Sequence, residues 1–294
     1  MPSMRDIQRR KNSIQSTEQI TKAMKLVATV RLQKARTKAE EAKPYFEKMY
    51  STINSILAHS YNPGSKYLLP AGDKKKAFIV ITANRGLAGG YNANVVKLIT
   101  KNDEFTPDNT IIYNIGKKGR EILNRNKFEI KADYSDVVNE PIYRDAIEIC
   151  EDILKDYENG EFGELYIAYT KFKNTVVHTP ELLKILPIGG KDELVNMTGE
   201  ENVSEADKIT FMKYEPSEEE VLDRIIPNYI TSLIFGTLNE AVASENGARM
   251  TAMDSATSNA DEMIANLSLL YNRARQSSIT QELTEIIAGA DAIS

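Results

Sequence analysis

The last third of the chain, residues 217–294, has the sequence pattern of one very long helix. Ser217 is a favourable N-cap, Glu218 and Glu219 place negative charge in the first turn, and Glu220 stands at capping-box spacing. With a rise of about 1.5 Å per residue, such a helix would be on the order of 110 Å long, longer than a domain of this size is wide. Most of it therefore needs a partner other than its own globular core.

The N-terminal stretch is the predicted partner. It opens with Ser3 and Asp6 at capping-box spacing, and no glycine precedes Gly64. On this helix we predict a packing seam at Ile20, Met24, Val27, Ala35, Ala39, Ala42, Phe46, Met49, Ile53 and Ile56. On the last helix we predict it at Met253, Ala256, Ala260, Met263, Leu267, Leu270, Ala274, Ile279, Leu283, Ile286, Ala290 and Ile293. Steps of three and four indicate an antiparallel coiled coil, and their 3.5-residue period predicts left-handed winding.

The net charge of −5 conceals an uneven distribution. Residues 1–43 contain eleven Lys or Arg and four Asp or Glu, whereas residues 217–294 contain four and twelve. The two helices should therefore attract each other. A basic arm also occurs in nucleic-acid-binding proteins, but here no aromatic residues are interleaved with the charges and an acidic partner exists in the same chain, so we expect no nucleic-acid partner.

Other features of the composition indicate a cytoplasmic protein. No apolar run approaches the roughly 20 residues that span a bilayer, and the start of the chain is charged from Arg5 onward. Cys150 is the only cysteine, which excludes an internal disulfide and a cysteine-based metal cluster. We expect Cys150 to be a small buried residue on a helix.

The middle of the chain, roughly residues 74–214, alternates short apolar runs with amphipathic segments. We predict strands at 77–82, 110–115 and 164–170, helices at 93–100, 117–125 and 143–157, an additional edge strand within 174–187, and a mobile loop at 191–207. The fold class is therefore α/β: a small doubly wound, Rossmann-like domain inserted between two coiled-coil helices. The predicted segments are 1–60, 61–215 and 216–294.

The glycine-rich turn at residues 84–90 is the position at which a phosphate-binding loop would lie, between a strand and a helix. It has neither the Gly-x-Gly-x-x-Gly spacing nor a Lys-Ser/Thr pair after its last glycine, which favours a tight turn over a nucleotide site. His59 and His178 have no nearby cysteine that would complete a zinc site. We predict no catalytic, cofactor-binding or metal-binding residues.

Three stretches resemble a known family. They are SIQSTEQITKAMKLVATVRLQKA at 13–35, TANRGLAGGYNANV at 82–95 and YNRARQSSITQELTEIIAGADAI at 271–293. Together they resemble the gamma subunits of bacterial F-type ATP synthases along the whole chain, and the C-terminal motif is the most specific. Asn84 departs from the family, which often has an acid there, and Asp291 adds a charge to a tail that is usually more apolar.

The resemblance implies a rotating, non-catalytic central stalk without a cofactor. Its partners would be the alpha3beta3 hexamer, the epsilon subunit and the c-ring, with membrane association through the c-ring only, at the cytoplasmic face of the cell membrane. The family's beta-subunit contacts map onto Met24, Lys22, Lys25, Arg249, Arg275, Gln276 and Thr280. An apolar bearing tip maps onto Ile286, Ile287, Ala290 and Ile293, and a foot that contacts the c-ring and epsilon maps onto Tyr214 and Glu215. Pairing of Lys22 and Lys25 with the acidic C-terminal helix is an equal alternative.

Two other functions remain open on the sequence alone. One is a nucleotide-binding α/β enzyme that uses residues 86–90 and dimerises through its helices. The other is a coiled-coil adaptor that gathers partners without moving. Nucleotide titration would distinguish the first from the stalk, because a stalk should bind no nucleotide specifically.

Overall fold

A computed structural model describes residues 3–59, 64–68, 74–175, 177–188, 215 and 217–291. The helices are α1 (Met4–His59), α2 (Tyr91–Thr100), α3 (Lys117–Arg125), α4 (Tyr143–Glu158) and α5 (Glu218–Asp291). The strands are β1 (Lys75–Ile81), β2 (Thr110–Ile115), β3 (Ile130–Asp133), β4 (Phe162–Phe172) and β5 (His178–Leu186). These residues form two compact units, Met1–Thr29 with Arg249–Ser294 and, separately, Val30–Ala248. We refer to them as the helical unit and the α/β unit.

Both long helices begin where their capping residues predict. The backbone N–H of Asp6 donates to Ser3 Oγ at 3.2 Å, and Ser3 Oγ donates to Asp6 Oδ2 at 2.7 Å. At the start of α5, the N–H of Glu220 donates to Ser217 Oγ at 3.2 Å. Side-chain oxygens thus satisfy N–H groups that have no partner within the helix.

The α/β unit contains a five-stranded sheet in the order β3-β2-β1-β4-β5. All neighbouring strands are parallel except β4 and β5. The predicted strands at 77–82, 110–115 and 164–170 are confirmed as β1, β2 and β4, and the predicted edge strand is confirmed as β5. Strand β3 was not predicted, because its four residues are too few and too polar to form a recognisable pattern.

Both faces of the sheet are covered, as expected of a doubly wound fold. On one face, Phe78 and Val80 of β1 pack in a cluster with Val95 of α2 and Leu123 of α3. On the other face, alternate residues of β1 pack with α4, with Ile53 and Ile56 of α1 and with α5 from Leu222 to Ala241. The predicted helices at 93–100, 117–125 and 143–157 are confirmed as α2, α3 and α4.

Cys150 lies on α4 in this second cluster, as predicted. Burial raises the pKa of its thiol to about 11, so that it remains protonated at neutral pH. The predicted loop at 191–207 lies outside the described residues. Within the described part of the chain, none of the helices combines the length and the apolar character required to cross a membrane.

Candidate functional site

The helical unit is built from α1 and α5, which run antiparallel as predicted. Thr21 Oγ1 lies 2.7 Å from Thr257 Oγ1, and Lys25 Nζ lies 2.5 Å from Asp254 Oδ1. Residue numbers thus rise along one helix as they fall along the other. Both side chains of the Lys25–Asp254 pair are substantially exposed, so the pair contributes little stability, at most about 1 kcal/mol.

The predicted seam of α1 is wrong by one residue at Ile20 and Val27, whereas Ala35, Ile53 and Ile56 are buried as predicted. Ile20 and Val27 are 58% and 55% exposed, whereas Thr21 and Ala28 beside them are buried. The sequence contains the correct signal as a strict seven-residue repeat, which consists of Ile7, Ile14, Thr21, Ala28 and Ala35. Thr21 and Ala28 are polar or small, so hydropathy favours their more apolar neighbours Ile20 and Val27 as interface residues.

The predicted seam of α5 is also only partly confirmed, since Leu267 and Ala274 are half-buried as expected of seam residues. Met253 and Ala260 are buried as predicted, but Met263 and Leu270 are about half exposed. Their C-terminal neighbours, Ile264 and Tyr271, are the half-buried ones. The consequence is a pair of helices with apolar side chains on its outer surface, namely Ile20, Leu26, Val27, Met263, Leu269 and Leu270.

The C-terminal end of α5 extends past the first turn of α1. Because Thr21 lies opposite Thr257, the same register places Met4 opposite about residue 274. Beyond this point every side chain from Ile279 to Gly289 is exposed. At about 1.5 Å per residue, the unpaired end up to Asp291 is roughly 25 Å long.

The predicted beta-contact residues of α1 lie beside the seam. Met24 is half-buried. Lys22 pairs with Glu18 on its own helix, and this hydrogen bond, together with the charge of Asp261, raises the pKa of Lys22. Lys25 pairs with Asp254 of α5, as the alternative interpretation of this lysine expects.

The predicted contacts of α5 fall in two environments. Arg249 is 8% exposed and therefore mostly buried in the chain itself. Arg275, Gln276 and Thr280 are exposed, and Thr280 Oγ1 donates to the carbonyl of Gln276 at 2.9 Å. Three of the four are thus available to a partner.

The predicted bearing tip lies in the unpaired end of α5. Ile286 and Ile287 are 68% and 61% exposed. Ala290 belongs to the helix, and Ile293 lies outside the described residues. At the predicted foot, Glu215 is exposed, and Tyr214 lies outside the described residues.

The glycine-rich turn connects β1 to α2 and is held by side chains. Asn84 Nδ2 donates to the carbonyl of Ser135 at 2.7 Å, while Asn84 Oδ1 accepts from the N–H of Lys117 at 3.0 Å. Asn92 Oδ1 accepts from the N–H of Ala83 at 2.8 Å. Gly89 has φ +57°, a conformation that glycine adopts at low cost.

In a doubly wound sheet, ligands bind in the crevice at the carboxyl ends of the strands where the strand order reverses. Here that crevice lies between β1 and β4, and α5 occupies it. Tyr91 Oη donates to the carbonyl of Ala241 at 3.0 Å from the β1 side, and Ser244 Oγ donates to the carbonyl of Thr170 at 2.9 Å on the β4 side. Ala248 packs against a small cluster of Ala83, Ala88 and Tyr91.

Comparison with known proteins supplies the family. A family model described as ATP synthase matches residues 3–293. The ATP synthase gamma chain of Lachnoclostridium phytofermentans is 58% identical over 293 residues and covers 100% of both chains. The sodium ion specific ATP synthase gamma chain of Acetobacterium woodii is 42% identical over 301 residues, which covers 99% of each chain.

Solved structures agree at the level of the fold. A chain of the Euglena gracilis mitochondrial ATP synthase, in a structure containing OSCP, F1 and the c-ring, matches with a TM-score of 0.69 at 16% identity. The match covers 99% of this chain and 94% of that one. With relatives above 40% identity along its entire length and a family model that matches nearly all of it, the chain belongs to the gamma-chain family of ATP synthases.

Proposed function

We propose that this chain is the central rotor stalk of an F-type ATP synthase. It carries torque between a membrane-embedded c-ring and an alpha3beta3 hexamer and thereby couples ion flow to ATP synthesis. Membership of the gamma-chain family supports this role.

The exposed apolar end of α5 is the observation that carries the proposal. A helix end about 25 Å long with Leu283, Ile286 and Ile287 all more than half exposed is unfavourable in water and fits inside an apolar sleeve. Apolar contact is non-directional, so the end can turn in such a sleeve without losing much free energy at any angle. These properties suit a bearing.

Directional contacts would hold the rotor at particular angles. We assign this role to Lys22, Lys25, Arg275, Gln276 and Thr280, which face beta subunits in this proposal, beside the apolar Met24 and the mostly buried Arg249. Arg275 is exposed and offers paired N–H donors to a carboxylate, an interaction that is strong only over a narrow range of angles. The ion pair of Lys25 with Asp254 would have to open for Lys25 to take part.

The remaining partners follow from the same role. Tyr214 and Glu215 form the foot that contacts the c-ring and the epsilon subunit, and this contact holds the chain at the cytoplasmic face of the cell membrane. The chain performs no chemistry itself, and ATP synthesis occurs on the hexamer. Occupation of the β1–β4 crevice by α5 supports this, because it fills the position at which a doubly wound fold binds nucleotides.

A single-molecule experiment tests the proposal. Cys150 is the only cysteine of this chain and is 2% exposed, so a cysteine introduced by Asp103→Cys in an exposed turn can be labelled selectively within the chain. The complex copurified with this chain from native membranes is fixed through its hexamer, and a bead is attached to the label. Rotation of the bead in one direction on addition of ATP is the expected result. ATP hydrolysis with a stationary bead would contradict the proposal, and the unsubstituted chain controls for labelling at Cys150.

A further inference from the structure

The crevice of the α/β unit holds α5 where other doubly wound folds hold a ligand. Two hydrogen bonds hold α5 in it, one at each wall. Tyr91 follows the glycine-rich turn after β1 and reaches the backbone of α5 at Ala241. Ser244 lies on α5, one turn further along, and reaches the backbone of β4 at Thr170.

Both hydrogen bonds are buried. Tyr91, Ala241, Ser244 and Thr170 are all below a tenth exposed. Water therefore does not compete for these bonds, and leaving either group unpaired there would cost more than the bond itself contributes. Each bond also has a preferred direction, unlike the apolar contacts of α5 with the rest of the sheet.

The close approach of α5 to β5 fits the same arrangement. A Cβ atom at Gly247 would lie 2.6 Å from His178 Nε2, so glycine allows α5 to lie against the imidazole at the start of β5 without displacing it. Three successive positions of α5 thus contact the sheet region. Residue 241 bonds to Tyr91, which follows β1, residue 244 bonds to β4, and residue 247 lies against the first residue of β5. Slippage of α5 along its axis, or rotation about it, would misalign both hydrogen bonds together.

We infer that Tyr91 and Ser244 are positioning residues that clamp α5 in the crevice and make the α/β unit turn with it as one stiff body. The inference rests on the proposed rotor function. Apolar packing supplies most of the cohesion between α5 and the sheet, and the two directional bonds supply resistance to small twisting displacements.

Angular fluctuations of the rotor test the inference. The bead on Asp103→Cys reports from the turn after α2, away from the carboxyl ends of the strands. With the rotor paused at limiting ATP, the variance of the bead angle measures torsional stiffness. Tyr91→Phe with Ser244→Ala removes the two hydroxyl groups and should raise this variance about twofold, because two directional contacts are lost while the apolar ones remain.

The chain offers matched controls. Tyr157 Oη also donates to a backbone carbonyl, that of Lys66, but it does not involve α5. Thr237 is buried on α5, and its hydroxyl bonds only within that helix. Tyr157→Phe with Thr237→Val therefore removes comparable hydrogen bonds without touching the clamp, and the angular variance should stay at the parental value.

The possible outcomes separate a failure of the clamp from a failure of the proposed rotor function. A parental bead that rotates, with equal variance in the clamp variant, would overturn the clamp and leave the rotor intact. Equal increases of the angular variance in the clamp and control variants would also overturn the clamp, since general destabilisation would then be the cause. A parental bead that never rotates would instead refute the rotor itself.

Discussion

Thr21 and Thr257 bring two hydroxyl groups to within 2.7 Å of each other in the buried seam between α1 and α5. Each hydroxyl also lies within hydrogen-bonding distance of a carbonyl on its own helix, that of Glu18 for Thr21 and that of Met253 for Thr257. Two protons thus serve three contacts, so one contact always lacks a donor. The pair contributes less than three hydrogen bonds would suggest, but it aligns the two helices.

The shared protons make the two threonines strongly non-additive. Thr21→Val leaves Thr257 free to donate to its own helix, so we expect a loss of only about 0.5–1.5 kcal/mol in the free energy of unfolding. The double variant with Thr257→Val should have nearly the same free energy of unfolding as Thr21→Val alone, because it replaces both hydroxyl groups with methyl groups of the same shape. Denaturant unfolding of the isolated chain in a double-mutant cycle measures this. Two fully additive losses would contradict the sharing of protons.

Two glycines of α5 should respond to alanine in opposite directions. No atom lies within 4 Å of a Cβ placed at Gly236, so Gly236→Ala should stabilise the chain by about 0.5–1 kcal/mol through a less flexible unfolded state. Gly247→Ala should instead destabilise it by about 0.5–1.5 kcal/mol, because the new Cβ would lie 2.6 Å from His178 Nε2 and the imidazole would have to rotate out of its present position. Thermal unfolding of both variants is the measurement. Combining Gly247→Ala with His178→Ala should remove the contact between the new Cβ and the imidazole. If the stability losses of the two single variants simply add in the double variant, this contact is not the cause of the loss.

Asn84 uses both ends of its amide, and this explains why an acid does not suit this chain at that position. In Asn84→Asp the carboxylate still accepts from the N–H of Lys117 but cannot donate to the carbonyl of Ser135, 2.7 Å away. We expect a loss of about 1–3 kcal/mol at pH 7. Asn102 is the control, since its side-chain oxygen accepts from the N–H of Glu104, so that Asn102→Asp keeps the bond. Equal unfolding midpoints for the two variants would contradict the role of the amide donor.

Asp133 gives the α/β unit a specific sensitivity to acid. Burial raises the pKa of its carboxyl, but hydrogen bonds from Ser135 and Asn114 and the charge of Arg120 outweigh burial and lower it. A carboxyl whose pKa is lower in the folded than in the unfolded state stabilises the fold above its unfolded pKa of about 3.9. This contribution is lost as the pH falls through the lower, folded-state pKa.

The expected signature is a difference in slope between two curves of stability against pH. The parent should lose stability below about pH 4 more steeply than Asp133→Asn, and the two curves should converge at the acid end. Asp103→Asn, in an exposed turn, should follow the parent. A parallel offset of the Asp133→Asn curve at every pH would mean that the lost hydrogen bonds, and not titration, cause the effect.

The sequence predicts most of the α/β unit because its elements are defined locally. All six residues of β2 are buried, and a run of such residues between turns is recognisable without knowledge of its neighbours. The helix starts at Ser3 and Ser217 are equally local, since each cap lies within three residues of the N–H group it accepts from.

The failures concern contacts between distant residues. Whether Ile20 or Thr21 faces α5 depends on the register of two helices more than 200 positions apart, and the hydropathy of the residues gives the wrong answer. The occupant of the crevice is equally invisible, because Tyr91 and Ala241 are separated by 150 positions. The sequence near β1 and β4 shows that a crevice should form between them, but it cannot show that α5 fills it.

Met24 should matter more to coupling than to folding. It is half-buried beside the seam, and the stem of a lysine can lie along the same surface while its ammonium group reaches water, so Met24→Lys should change the unfolding midpoint of the isolated chain little. In the assembled synthase the new charge would face a beta subunit and form a contact that prefers particular angles. We expect fewer ions pumped per ATP hydrolysed, measured in membrane vesicles, whereas Met24→Leu should keep the parental ratio. A Met24→Lys chain that fails to fold or to assemble would place this side chain in the seam and remove it from the beta-facing surface.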